Sequence, residues 1–298
     1  MKYFLIKLFY NYAMKENAVA VVADIRFLKR HFKKFFKNLV LNGKYIGDLL
    51  IITSRFSPTF LIKDIRKNKN IKIIRFKKIR FPKKVKKSYL SLNTGDRPNR
   101  FKTKNFQWFK LNLFHPELKK WENILYLDIN LTIHHDINGI FKIKPDNNMY
   151  AKADGYPNYI KPLSSQFDIT HPLYQELNAT YDLSDIKYFQ TGLMYFDTSI
   201  IQEHTIKSIL NIANRFPISI TNEQGILNLF FQSHDDYIYK ELPEYLDNFL
   251  ILGIILFNSL ISIAKKWSGP LDFLFKVICF SIIFAPILTA IKLASIPN

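Results

Sequence analysis

A single cysteine, Cys279, is all the thiol that this chain of 298 residues carries. No internal disulfide can form from it, and cysteine-rich metal modules are excluded, which suits a reducing compartment. Acidic side chains are scarce too: 24 Asp and Glu stand against 43 Lys and Arg, a formal charge of +19. Such a balance favours anionic partners, whether nucleotides, phospholipid head groups or nucleic acid. The amino-terminal stretch MKYFLIKLFYNYAMKEN is broken by Lys7 and lacks a small-residue cleavage site, so it makes a poor secretory signal. No internal repeat is visible, and no pair of carboxylates at glycosidase spacing argues for hydrolysis.

Long apolar runs are missing until the end of the chain. After Asp247, FLILGIILFNSLISIA supplies sixteen residues, short of the about 20 that a spanning helix needs. The second run, LDFLFKVICFSIIFAPILTAIKLA, is interrupted by charge. Interfacial anchoring by this run, with Lys276 and Lys292 at its margins and Trp267 near the head groups, is the favoured reading. A spanning pair, or a core strand with a helix packed on the sheet, stays open.

What is present is an alternation of strand and helix. Ala18 to Val22 reads as a strand and Ile25 to Leu41 as a basic amphipathic helix, which Asn42 and Gly43 end as a left-handed cap would. Strands follow at Asp48 to Thr53, Ile71 to Phe76, Ile124 to Leu127, Asn148 to Ala153 and Gly192 to Phe196. Helices are expected over Pro98 to Lys120, Leu173 to Tyr181, Ser199 to Asn214 and Glu223 to Phe231. The first part of this order predicts a parallel sheet with helices on its faces. Much of the excess charge lies between Lys63 and Lys87, without the aromatic pattern of an RNA-binding sheet. It reads as a solvated edge strand and loop, with lysine blunting the edge.

The chemistry concentrates in residues 122 to 141, ENILYLDINLTIHHDINGIF. An apolar strand there delivers Asp128 and Asn130 to its carboxyl end, where ligands of open α/β sheets bind. If the strand continues, the two side chains point the same way and offer oxygen to one hard cation. If it stops, they simply begin a turn.

YLDIN resembles the metal-binding Asp-x-Asp (DxD) region of GT-A nucleotide-sugar glycosyltransferases, especially the family 8 and glycogenin-like enzymes, and the likeness recurs in order along the chain. KENAVAVVADIRFLKRHF resembles their first strand, which implies Ala23 and Asp24 beside the nucleotide; read locally, Asp24 is equally a helix cap. RFKTKNFQWFKLNLF resembles the basic helix before the metal strand and nominates Arg100, Lys104 and Lys110 for the donor diphosphate. YAKADGYP nominates Asp154 for sugar hydroxyls. KYFQTGLMYFDTS places Gln190, Thr191 and Gly192 along the sugar pocket, and ISITNEQGILNLFF places Glu223 and Gln224 near the anomeric carbon. ISIAKKWSGPLDFL is similar to the family's closing segment through Trp267, Gly269 and Pro270, but Lys266 stands where the family has a metal-binding histidine.

The resemblance implies an α/β fold, a Rossmann-like mixed sheet flanked by helices over residues 15–247, with a hydrophobic helical extension over 248–298. It implies a hexosyltransferase, retaining, with Gln224, Glu223 and Asp154 as catalytic residues. The donor would be a nucleotide diphosphate sugar, most simply a UDP-sugar, and the acceptor a glycan or glycolipid. Mn2+ or Mg2+ would bind at Asp128 and Asn130, with weakened or absent dependence because Asn130 and Lys266 replace two ligands; Asn130 still ligating, or His134 or His135 contributing, is the alternative. An anionic membrane surface on the cytoplasmic side, reached peripherally or through the C-terminal segment, is the expected location, and no nucleic acid partner is expected. The competing reading is a catalytically silent GT-A-like binding protein.

Overall fold

The computed structural model describes residues 17–92, 101, 104–153, 162–183, 186, 188–233 and 238–243. The chain divides into two units, Met1–Leu250 and Ile251–Asn298, and every described residue belongs to the first. Arg100, Asp154, Lys266, Gly269, Cys279 and both C-terminal apolar runs lie outside the described residues.

The elements run β1 (Asn17–Val22), α1 (Ile25–Leu41), β2 (Asp48–Ser54), α2 (Lys63–Lys67), β3 (Ile71–Phe76), α3 (Lys83–Ser91), β4 (Asn123–Leu127), β5 (Asn148–Ala153), α4 (Leu173–Tyr181), β6 (Phe189–Asp197), α5 (Thr205–Arg215), α6 (Glu223–Ser233) and β7 (Ile238–Glu241). Among the described residues seven strands form one mixed sheet in the order β3-β2-β1-β4-β6-β5-β7. Strands β3, β2, β1 and β4 are parallel, β6 is antiparallel to both β4 and β5, and β7 is parallel to β5. Residues 18–21 of β1 and 124–127 of β4 are buried throughout, as central strands covered on both faces must be. At the edge, β3 exposes Lys72, Ile73 and Arg75, the lysine-blunted edge expected from its composition.

Alternation divides the core. Ala18, Ala20, Leu50, Ile52, Ile124 and Tyr126 join a large cluster with Ile209 and Ile212 of α5 and with Ile226, Phe230 and Phe231 of α6. The buried stripe of α1, Leu28, Phe32, Phe35 and Leu39, has helical spacing and stands outside that cluster, which leaves it the opposite face. Asp24 caps this helix: its Oδ1 accepts the Phe27 N–H at 2.9 Å.

Four local expectations need correction. The left-handed residue after α1 is Lys44 (φ 50°), whereas Asn42 is right-handed helical. Gly43 serves by its size, because a Cβ there would stand 2.6 Å from the Leu39 carbonyl oxygen and 3.3 Å from Ile133. The Asn42 side chain donates to Ile133 O at 2.7 Å and the Ile137 N–H donates to Gly43 O at 3.2 Å, so this corner anchors the segment that follows Asp128. Gly43→Ala is expected to cost about 1–3 kcal/mol, as overpacking does, read as a lowered urea midpoint.

The expected helix over Pro98 to Lys120 is α-helical at Phe101 but 3₁₀ over Asn105–Phe114 and Pro116–Lys120. Trp108, Phe109, Leu111, Leu113 and Phe114 are all buried, so no polar face sets a 3.6-residue stripe, and Pro116 stops the run. Conversely, Lys83–Ser91 is helical where the composition of the basic run suggests loop; Val85 and Tyr89 are its buried anchors. Helix α5 starts only at Thr205, after a 3₁₀ turn at Thr198–Ile200. Among the described residues no helix is long and apolar enough to cross a membrane.

Candidate active site

From β1 the chain winds outward through β2 and β3, then returns to lay β4 on the other side of β1. The sheet therefore has a switch point at the carboxyl ends of β1 and β4, where open α/β sheets leave a crevice for ligands. Register brings Ala23 and Asp24, just past β1, alongside Asp128, just past β4. The amino end of antiparallel β6 reaches the same edge: the Asp128 N–H donates to Gly192 O at 2.8 Å.

Asp128 and Asn130 do not share a strand face. Strand β4 ends at Leu127, and the Leu131 N–H turns back to Asp128 O at 2.9 Å. The ladder stops there because the chain turns, so Ile129 is buried and Asn130 is exposed. The turn reading of this pair is the one that holds. His134 and His135 are both exposed.

Around Asp128 a buried polar cluster assembles. Lys110, only 5% exposed, is delivered by the 3₁₀ segment and lies 3.2 Å from Asp128 Oδ1 and 3.2 Å from Glu223 Oε1. Its ammonium also donates to Thr191 O (3.1 Å) and Thr191 Oγ1 (3.2 Å). The Tyr126 hydroxyl donates to Asp128 Oδ1, and the ammonium stands 5.4 Å from the Tyr126 ring centre. Burial pushes the Lys110 pKa down, but the charges and hydrogen bonds of Asp128 and Glu223 outweigh it and hold the pKa above the usual lysine value. For Tyr126, burial first and then the Asp128 charge push the phenol well up, so it stays a donor at neutral pH.

Glu223 opens α6 at the positive end of the helix and is 1% exposed; its Oε2 is buried without a partner among the described residues. The neighbouring Asn222 (φ 59°) donates to Gln107 Oε1 at 2.9 Å and lies 3.4 Å from Lys104 O, tying the helix start to the segment that carries Lys110. Gln224 is half-buried: its amide donates to Gln166 Oε1 at 2.9 Å and accepts the Thr191 N–H at 3.4 Å. Asn228 accepts the Phe189 N–H (2.8 Å) and donates to Phe189 O (2.9 Å), fastening α6 to the start of β6.

The sequence-nominated residues thus fall into three groups. Asp128, Lys110, Thr191, Gly192, Glu223 and Gln224 converge. Ala23 and Asp24 lie on the same sheet edge, while the Gln190 and Lys104 side chains are exposed beside it. Arg100, Asp154, Lys266 and Gly269 fall outside the described residues, although Asp154 directly follows β5, whose carboxyl end pairs with Phe189 on this edge. Tyr126, Gln166, Asn222 and Asn228 were not nominated. Tyr126 could have been found, since strand alternation places it two residues before Asp128, and Asn228 lies one helical turn beyond Gln224. Gln166 carries no local signal.

Asp128 Oδ1 is taken by Tyr126 and Lys110, which leaves Oδ2, beside Gly192, as the carboxylate oxygen open to a cation. Oδ2 is one hard oxygen of the kind that Mg2+ or Mn2+ takes, with the exposed Asn130 in the adjoining turn; such an ion would draw its other ligands from water and substrate phosphates. Among the described residues no group of three His, Cys, Asp or Glu is placed to hold a metal.

Neither a protein-family model nor a curated protein sequence matches the chain. Solved structures do. An active-site mutant of LgtC, in which glutamate replaces a glutamine, is 13% identical and superposes with a TM-score of 0.50 over 74% of this chain and 72% of that one. The apo glycosyltransferase GlyE of Streptococcus pneumoniae TIGR4 is 15% identical over 77% of this chain and 45% of its own, with a TM-score of 0.48. Core-mannan synthase A of Aspergillus fumigatus, in its Mn/GDP form, is 11% identical over 72% of this chain and 69% of its own, also at 0.48. The mixed sheet and the LgtC superposition together show that the chain has the GT-A glycosyltransferase fold.

Proposed function

We propose that the protein is a glycosyltransferase that moves a hexose from a nucleotide diphosphate sugar, a UDP-sugar in the simplest case, to a glycan or glycolipid acceptor with retention of configuration. The observation that carries this reading is the convergence of Asp128, Lys110, Thr191, Gly192, Glu223 and Gln224 at the switch point of the sheet. The nucleotide lies over the end of β1, where Asp24 Oδ2, 3.6 Å from Arg26 Nε, accepts from the ribose or base edge. The diphosphate reaches Asp128, and the sugar lies between Gly192, Gln190 and the Gln224 amide, with Asp154 for its hydroxyls.

The cluster's formal charges, one ammonium between two carboxylates, leave one negative charge over, so a diphosphate needs added cations. Lys104 and Arg100 are the chain's own candidates. A divalent ion held by Asp128 Oδ2 and Asn130 would offset the charge of the departing diphosphate, and with so few protein ligands the dependence on it is weak. Lys110 is a positioning residue: it fixes the Asp128 carboxylate and the Glu223 helix start. Gln224 faces the anomeric carbon as an uncharged oxygen; there the acceptor oxygen forms its bond as the bond to the diphosphate breaks, and the acceptor's hydroxyl proton passes to the departing diphosphate oxygen.

Thermal-shift titration with UDP-sugars, with and without Mn2+, followed by assay of UDP release, tests the reading. Binding at 100 times Kd adds about 2.7 kcal/mol of stability, a readily measured rise in Tm, and slow donor hydrolysis should accompany it. A shift without UDP release would leave a silent donor-binding protein; no shift with any nucleotide sugar would remove the transferase reading altogether.

A further inference from the structure

The loop that leaves β2 at the carboxyl edge presents three large apolar side chains to solvent: Phe56 is 89% exposed, Phe60 64% and Leu61 57%. Looseness does not explain this. Arg75 of β3 donates to Ser57 O at 2.6 Å and to Thr59 Oγ1 at 2.7 Å, Ser57 and Thr59 are buried, and the Arg55 N–H donates to Phe76 O at 2.9 Å. The backbone is fixed while its apolar side chains face outward, so the apolar surface is presented rather than left over. Cations surround it. Arg55 and Lys63 flank the loop in sequence, and Lys77, Lys78 and Arg80 leave the same sheet edge beside it, because Ser54 pairs with Phe76; all five are exposed.

We propose that residues 55–62 seat in an anionic phospholipid surface, with Phe56, Phe60 and Leu61 entering the acyl boundary and the five cations at the head groups. Aromatic and aliphatic side chains ringed by lysine and arginine suit that interface on both counts: apolar burial holds them, and attraction to anionic lipid falls away with salt. Both the loop and the Asp128 cluster lie at the carboxyl ends of the parallel strands, so docking here turns the candidate site toward the lipid. The inference uses only the loop and the fold, and stands or falls apart from the transferase reading.

A single native cysteine makes the test direct. In a Cys279→Ser background of the full chain, an environment-sensitive fluorophore is placed at Phe60→Cys and, as a control on the opposite sheet edge, at Glu203→Cys. With vesicles containing phosphatidylglycerol, the label at 60 should shift to the blue and be quenched by lipid-borne quencher, while the label at 203 does neither. Pure phosphatidylcholine vesicles should leave both unchanged. Phe56→Asp with Leu61→Asp should weaken partitioning at least about tenfold, the loss of two apolar side chains from the interface. The proposal is overturned if the chain binds vesicles with the label at 60 still in water. It is equally overturned if that label is already blue-shifted without lipid, either because residues 251–298 cover the loop or because a second copy does so as concentration rises.

Discussion

Lys110→Met is expected to lower the unfolding free energy by about 3–5 kcal/mol, the usual result of stripping one partner from a buried ion pair. Glu223 is 1% exposed, and among the described residues its Oε2 already has no partner and its Oε1 would keep the Thr191 hydroxyl alone, at 3.3 Å. Against a total stability of about 5–15 kcal/mol for a typical domain, such a loss is large. The double variant Lys110→Met with Glu223→Leu should recover much of it, because a matched apolar pair avoids the desolvation of both charges. Urea unfolding of the two singles and the double closes the cycle, and a Lys110→Met cost under about 1 kcal/mol, the worth of an exposed pair, would show that the pair is open to water. The sign with pH is fixed by the raised Lys110 pKa. Stabilisation by the ammonium is fully present below its unfolded value of about 10.4 and is lost as pH rises through the higher folded value. The gap between the parent protein and Lys110→Met should therefore hold across the neutral range and narrow only in strong alkali.

Much of this framework can be read from local pattern. The bounds of α1 and β5 follow from the sequence because a 3.6-residue stripe from Leu28 to Leu39 and a short apolar run ending in Ala153 each suit one geometry. Asp128 is visible for the same reason, as the first polar residue after NILYL. Its turn is less visible, since LDIN continues the alternation of the strand and the return of the Leu131 N–H to Asp128 O is what ends it. The 3₁₀ segment defeats pattern reading because residues 108–114 are buried on every side, Lys110 and Asn112 included. Lys110 can be nominated from its segment, but its burial depends on Asp128, Thr191 and Glu223, about 20, 80 and 110 residues further on, so that burial belongs to the tertiary fold and not to any window. The addition of β7 to the far side of β5 is of the same kind: four residues whose strand identity comes from pairing at the sheet edge.

Asp128→Ala is expected to reduce kcat for donor turnover by about 10²–10³, the scale set by removing one preorganised group from developing charge, while the protein stays folded. The stability cost combines the Tyr126 hydroxyl, a buried donor left without its acceptor and worth about 1–3 kcal/mol, with the lost Asp128–Lys110 ion pair, which is softened because Lys110 keeps Glu223 and Thr191. Asp128→Asn separates the causes. An amide oxygen can still accept from Tyr126, so stability should stay close to the parent, yet the charge that faces the diphosphate and any cation is gone. If charge at Oδ2 is what matters, UDP release falls nearly as far as in Asp128→Ala; if orientation of Tyr126 and Lys110 is what matters, it stays near the parent rate. Asn130→Asp is the complementary change. It restores a second carboxylate to an exposed turn position where it costs the fold little, and tighter Mn2+ binding by calorimetry, with turnover more dependent on the metal, is expected. Unchanged Mn2+ affinity in Asn130→Asp, together with full activity in Asp128→Ala, would place the diphosphate away from this turn.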